Sequence, residues 1–391
     1  MKLRVLCLML VLGGTACSSG ASGDAAKRSD SPPSSAPAIT PVSGSSAGSA
    51  GTDPSTSASS APATTATTQA AATTSTTAKP ATTSPPVSDH SVAASGAFIV
   101  GDKGAGVAST PGGAVTGRLR AGVALAVDAT QGAWAHILTP CENRLWVKLA
   151  DGHIEPTADI VIDAGHGGPE SGAVGQGGLT EKELNLAVAR LVVDDLAAQG
   201  VTAALARTGD YRQTLASRVA VATALHPKAF VSIHHNAEPD GQRAGPGTET
   251  YYQIGKEAAP AESAQSKRLA GLIYEEVVKA LSAYSADWVA DTDAGAKYRI
   301  GDSGNDYYGI MRLAANNGVV ASLAELAFIS NPSEEALLKR DDVRRAEAAA
   351  VARGIVRYLR TNDPGSGFTV PYPRTEPAGG GGGTEGCVDP S

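Results

Sequence analysis

The position of the first large side chain limits this sequence most. The 391 residues include 3 Trp, 10 Tyr and 4 Phe, and none of these precedes Phe98. Between residues 31 and 89, 52 of 59 positions are Ser, Thr, Ala, Pro or Gly. Such a stretch buries too little apolar surface to offset the entropy of ordering it. Residues 18–95 are therefore expected to form a disordered linker, with all folding downstream.

Charge narrows the choice of partners. The chain carries 32 Lys and Arg against 39 Asp and Glu, a net charge of −7. Residues 1–95 hold five basic and four acidic side chains, leaving 27 basic against 35 acidic in the remainder. Phosphate binding wants a basic stripe, and none is visible, so a nucleic-acid partner is not expected. No later segment has the 18 or more apolar residues of a membrane span.

Lys2 and Arg4 precede an apolar run from Val5 to Leu12, followed by Gly13-Gly14-Thr15-Ala16-Cys17-Ser18-Ser19. A basic start, a short apolar stretch and small residues make a secretory signal over residues 1–17, too short to span a bilayer. Its ending resembles a bacterial lipobox, which implies lipidation at Cys17 and a membrane anchor on the outer face of the cytoplasmic membrane or in the cell wall; plain secretion is the alternative. With Cys7 inside the signal and Cys17 at the new terminus, Cys141 and Cys387 remain. An exported compartment permits disulfides, and a Cys141–Cys387 bridge would pin the Gly-rich tail, residues 363–391, onto the upstream region.

From Phe98 onward, short β-rich runs alternate with Gly punctuation at roughly ten-residue spacing, which predicts a small barrel over residues 96–156. The runs Gly117-Arg118-Leu119-Arg120-Ala121-Gly122, Gly132-Ala133-Trp134-Ala135-His136-Ile137 and Trp146-Val147 resemble the pattern of a bacterial SH3-like domain. Such domains often bind cell-wall peptide, but Trp134 and Trp146 read as core. His90, His136, His153 and His226 read as surface or structural.

Over residues 158–362 strand-like and helix-like segments alternate. A buried strand over 159–163 precedes a helix over 180–198 with Leu184, Val188, Val192 and Leu196 on one stripe. Thr180 with Glu183 reads as a capping box. Strands follow at 201–206, 229–235, 248–252 and 319–325, with helices at 213–225, 263–281 and 342–359. This alternation predicts an α/β domain with a mostly parallel sheet covered by helices.

Open α/β sheets place their sites where strands end. His166 follows the first strand, Glu181 opens the next helix, and His234 and Glu325 end later strands. Two His and two Glu at such boundaries suggest a catalytic zinc with three ligands and a carboxylate to move a proton. Each residue also has a simpler use: His166 in a turn, Glu181 at a helix N-terminus, Glu325 paired with an Arg.

The local words are more specific. I-V-I-D-A-G-H-G-G, G-G-L-T-E-K-E-L-N-L, L-A-R-T-G-D-Y, L-A-S-R-V-A-V-A, F-V-S-I-H-H-N-A and A-E-L-A-F-I-S-N-P-S-E-E resemble, in order, the signature blocks of the zinc-dependent N-acetylmuramoyl-L-alanine amidases of the Amidase_3 family. The resemblance covers about residues 160–360. It implies one Zn²⁺ held by His166, Glu181 and His234, with Glu325 as the catalytic acid/base. It further implies hydrolysis of the amide between N-acetylmuramic acid and the L-alanine of the peptidoglycan stem peptide. Arg312 and Asn236 are implied substrate contacts. Three positions depart from the family pattern: Ala164 replaces a Pro, His235 an Ala and Ala327 a Gly. Of the adjacent imidazoles, strand alternation turns only one toward the site, and the resemblance assigns it to His234. The segment 255–306 holds one clear helix and a polar connection, which predicts an open cleft. A silent wall-binding lipoprotein, or a zinc amidase acting on another amide, are the alternatives. No protein partner is identifiable.

Overall fold

The computed structural model describes residues 92–237, 247–285, 295–301, 304–367 and 382–391. The signal, Cys17, His90 and nearly all of the linker read from the sequence lie outside the described residues, as do parts of the 255–306 segment and of the tail.

The upstream region is a seven-stranded sheet of β1 (Val92–Val100), β2 (Ala105–Ala108), β3 (Val115–Leu119), β4 (Ala124–Gln131), β5 (Trp134–Leu138), β6 (Arg144–Lys148) and β7 (Gly152–Glu155). Its order is β3-β2-β6-β5-β4-β1-β7 with every pairing antiparallel. Alternation along the strands sends Phe98, Val107, Leu125, Ile137 and Val147 inward, where Tyr211 from the downstream region joins them. Trp146 is buried against the His136 ring, while Trp134 is half-buried beneath Lys148.

The downstream region is built on β8 (Ile160–Ala164), β9 (Ala203–Leu205), β10 (Ala229–Asn236), β11 (Glu249–Tyr252) and β12 (Ala321–Phe328), in the order β11-β12-β10-β8-β9. Neighbours are parallel except the edge strand β11. Helices α1 (Glu181–Ala198), α3 (Pro260–Leu281) and α6 (Asp341–Arg360) cover one face, packing on Ile162, Val231, Ile233, Ala324 and Leu326. Helices α2 (Leu215–Leu225) and α4 (Gly309–Asn316) cover the other, on Val161, Phe230 and Leu323. Residues Ala97, Ala124 and Ala126 of the first sheet join this second cluster. Leu184, Val188, Val192 and Leu196 of α1 are fully buried, each contributing about 1.5–3 kcal/mol of apolar burial.

Some sequence expectations are corrected. Thr180 does sit at the N-cap of α1, but its buried hydroxyl makes no capping bond. Carbonyls of the incoming loop instead satisfy the first two N–H groups of the helix: Glu181 N–H donates to Ala173 O and Lys182 N–H to Ser171 O. Helix α4 and the short α5 (Pro332–Leu338) stand where no helix was expected, and β12 continues three residues beyond Glu325. Cys141 and Cys387 are joined by a disulfide, with Cα atoms 5.5 Å apart. Among the described residues no helix is long and apolar enough to cross a membrane.

Candidate active site

The period of two along a strand sorts side chains between the two faces of the central sheet. On β10, Val231, Ile233 and His235 point to the α1/α6 side, whereas Phe230, Ser232 and His234 point to the α2/α4 side. His234 is the register partner of Glu325 on the parallel strand β12, so both side chains leave the same face.

His166 follows β8 with a left-handed backbone, φ 60°. A non-glycine residue there costs of order 1–3 kcal/mol and persists only where neighbours enforce it. Two buried arginines do so. Arg218 donates from Nη2 to His166 O (2.6 Å) and from Nη1 to Ala164 O (2.6 Å) and to Asp163 Oδ1 (2.7 Å). Arg207 donates from Nε to Ala164 O (2.8 Å) and from Nη2 to Gly165 O (3.0 Å). Burial and the nearby Arg218 charge push Arg207 down to about 10. Burial raises the Asp163 carboxyl, but Arg218 and Ser232 outweigh it and hold it below its ordinary value. Gly165 is required sterically: a Cβ would lie 2.2 Å from the His234 ring.

Glu181 is 4% exposed at the first position of α1. His234 Nδ1 lies 2.9 Å from its Oε1, and His166 Nε2 lies 3.1 Å from its Oε2. Ala173 N–H also donates to Oε2 (2.8 Å) and Asn185 Nδ2 to Oε1 (3.2 Å). Burial pushes the Glu181 carboxyl up, but the facing imidazoles prevail and hold it well below the usual range. Burial lowers His234, and Glu181 only partly counters this. Among the described residues, His166, Glu181 and His234 form the one converging group of three or more such donors, all within 4.8 Å of one another. Tetrahedral donors about 2.0–2.2 Å from a zinc ion stand roughly 3.4 Å apart. An anionic carboxylate with two imidazoles at these separations therefore fits that ion.

Glu325 is 8% exposed on β12. A cavity of about 350 Å³ opens beside the cluster, lined by His166, His234, Gln213, Arg218, Tyr308 and Gly382 among others. Burial pushes the Tyr308 phenol up, and the Glu325 charge adds to this. The sequence-derived contacts lie to one side. Asn236 Nδ2 donates to Glu249 Oε2 (2.9 Å), a carboxylate that also accepts from Tyr251 Oη (2.6 Å) and Lys297 Nζ (2.7 Å). Arg312 Nη1 donates to the carbonyls of Asp306 (2.7 Å) and Tyr307 (2.6 Å), bracing the turn before α4.

Sequence reasoning missed three sets of residues. Arg207 and Arg218 lie within the signature words, but nothing local marks an Arg as buried. His235 is fully enclosed: its Nδ1 lies 2.7 Å from Asn185 Oδ1 and its Nε2 3.3 Å from the Glu347 carboxylate of α6. Asn185 in turn donates to Glu181, so His235 stands behind the donor cluster. Glu249 with Lys297 forms a third, a buried ion pair whose strand partner is Glu325.

The family described as N-acetylmuramoyl-L-alanine amidase, Amidase_3, matches residues 160–357. The "Uncharacterized protein YqiI" of Bacillus subtilis (strain 168) is 37% identical over 199 residues, covering 51% of this chain and 84% of that protein. The "N-acetylmuramoyl-L-alanine amidase LytC" of the same organism is 35% identical over 201 residues, 51% of this chain and 35% of LytC. Among solved structures, the catalytic domain of the N-acetylmuramoyl-L-alanine amidase CwlV from Bacillus (Paenibacillus) polymyxa var. colistinus is 34% identical, covering 52% of this chain and 98% of that one with a TM-score of 0.41. A family match over half of the sequence, on the segment that brings His166, Glu181 and His234 together, means that the chain belongs to the N-acetylmuramoyl-L-alanine amidase family, Amidase_3.

Proposed function

We propose that the chain is an exported, zinc-dependent peptidoglycan hydrolase that cleaves the amide between N-acetylmuramic acid and the L-alanine of the stem peptide. The observation that carries this reading is the convergence of His166, Glu181 and His234, with Glu325 in register on the same sheet face. His166, Glu181 and His234 would hold the ion. When bound, Zn²⁺ supplies a Lewis acid that polarises the scissile carbonyl and makes water beside it more acidic. Glu325 takes the proton of the attacking water onto its carboxylate and returns it to the nitrogen of the departing L-alanine. Arg218 and Arg207 keep the His166 loop in its strained form, and burial keeps the His234 imidazole neutral and able to donate a lone pair. The upstream sheet serves as an SH3-like module over residues 96–156. The signal over 1–17, a lipid on Cys17 and the linker, which ends where β1 begins at Val92 rather than at residue 95, would hold both regions at the cell wall, where a Cys141–Cys387 disulfide is stable.

The test incubates the zinc-loaded full chain with purified peptidoglycan and counts new L-alanine N-termini. Stem peptides released with free L-alanine amines are expected. Their absence, with zinc bound and the protein folded, overturns the assignment.

A further inference from the structure

The cavity beside the donor cluster has one wall from outside the family-matched segment. Gly382 lines it together with His166, His234, Leu215 and Tyr308, yet the family match ends at residue 357. The segment 382–391 is held at several points. Leu215 N–H donates to Gly382 O (3.0 Å), and Arg212 donates to the carbonyls of Gly383 (3.0 Å) and Glu385. Cys387 is bonded to Cys141 in the β5–β6 connection. Asp389 accepts from Cys141 N–H (2.9 Å) and Asn143 Nδ2 (2.8 Å), and Pro390 O accepts from Arg120 N–H (3.0 Å). Arg212 also pairs with Glu170 (3.0 Å), which lines the same cavity. The fit at Gly382 is close: its backbone is left-handed, φ +90°, and a Cβ would lie 2.5 Å from Leu215 Cγ. The upstream sheet thus uses a covalent bond to hold a foreign segment against the cleft.

We propose that Gly382, held in place by the segment 382–391 and its Cys141–Cys387 disulfide, is a specificity-determining wall of the substrate cleft that favours slender, single-stem substrates over cross-linked ones. The inference rests on the peptidoglycan amidase reading above. At about 350 Å³ the cavity is near the small end for ligand sites. A fixed wall rejects branched substrate through a steric penalty, and discrimination is measured by the ratio of kcat/KM values. Holding the wall by a disulfide and backbone carbonyls keeps its position independent of the side chains that perform the chemistry.

The test measures kcat/KM of the full chain on two substrates, a soluble monomeric muramoyl peptide and cross-linked peptidoglycan fragments. It compares wild type, C141S/C387S, and folded wild type treated with a water-soluble phosphine. The phosphine converts the disulfide to two thiols as it is oxidised, with water, to the phosphine oxide. It therefore loosens the wall even if the double variant fails to fold. Loosening is expected to raise kcat/KM on the cross-linked substrate by about tenfold or more relative to the monomer, mainly through KM, the low end of discrimination by a steric contact of one methylene. Activity in every form with an unchanged ratio overturns the wall alone. No cleavage of either substrate by any zinc-loaded form overturns the amidase reading, and the wall with it.

Discussion

Replacing Asp163 by Ala removes the partner of a cation that is almost wholly buried at the wall of the cavity. Asp163 and Arg218 are each about 2% exposed, and their ion pair measures 2.7 Å. Arg218 also donates to Ala164 O, His166 O and Gln213 O, while Ser232 Oγ donates to Asp163 Oδ2 (2.8 Å). Removing one partner of a buried pair costs about 3–5 kcal/mol because the remaining charge stays desolvated. At roughly 2–4 °C per kcal/mol for a unit of this size, the thermal midpoint should fall by about 6–20 °C. The assay is a melt followed by near-ultraviolet circular dichroism, with zinc affinity measured in parallel by chelator competition. The double change D163L/R218M removes both charges and should recover much of the stability. It should not recover zinc affinity, because the carbonyls of Ala164 and His166 lose their common donor. The pH dependence gives an independent check. The Asp163 carboxyl titrates lower in the folded than in the unfolded protein, so its contribution is present above the unfolded value of about 3.9 and is lost as pH falls through the folded one. The acid limb of the stability curve should therefore flatten in the variant. A midpoint shift below about 2 °C in D163A would refute the claim that this charge pair supports the His166 loop.

Glu325→Gln keeps the shape of the side chain but cannot take a proton, so zinc content measured by elemental analysis should be unchanged while turnover falls on the order of 10²- to 10⁴-fold; near-normal turnover would exclude Glu325 as the acid/base. His235→Ala removes the group between Asn185 and Glu347 and should weaken zinc binding by about 10- to 100-fold, as changes behind metal ligands do; unaltered affinity in chelator competition would leave His235 a packing residue only. Burial pushes the Asp306 carboxyl up to about 6, despite the Ile254 N–H it accepts. A raised folded value means its favourable contribution is complete below the unfolded pKa of about 4 and is lost as pH rises through 6. Asp306→Asn should therefore raise the thermal midpoint at pH 7 and leave it nearly unchanged at pH 4; an equal shift at both values contradicts the titration.

What could be read in the sequence follows from how far each signal extends along the chain. The stripe on α1 from Leu184 to Leu196 repeats over more than three turns, and β8 and β10 are apolar runs bounded by polar exits, so these elements and His166, Glu181 and His234 near their ends were accessible. Helices α4 and α5 have only eight and seven residues, too few for a periodic pattern to stand out. Strand β12 is buried at all eight positions, so no alternation marks its end, and the polar Glu325 looked like a boundary. The motif at Thr180 misled because a capping box records local preference, whereas the loop before α1 supplies carbonyl acceptors that only the tertiary structure reveals. The arginines were invisible for a related reason. Arg is usually exposed, and the acceptors that make Arg218 and Arg207 tolerable inside are backbone carbonyls with no sequence signature.

The pair His234-His235 shows the same limit within two residues. Strand alternation correctly separates the two imidazoles, but it does not say what the second one does. His234 faces the donor cluster beside Glu181, whereas His235 enters the layer between α1 and α6 and meets Asn185 and Glu347, the latter 112 positions later. Asn185 sits one helical turn after Glu181 and donates to it. One strand therefore contributes a donor to one face and, through the other, a support for the carboxylate that completes the same cluster. A register slip of one residue would exchange these tasks, placing His235 at the cavity and His234 against Glu347. The apolar residues that prevent the slip are Val231 and Ile233 on the α1/α6 side and Phe230 on the α2/α4 side. The core of the sheet thus fixes the chemistry of its edge, and a substitution that loosens β10 in the core should disturb zinc binding before it disturbs the helices.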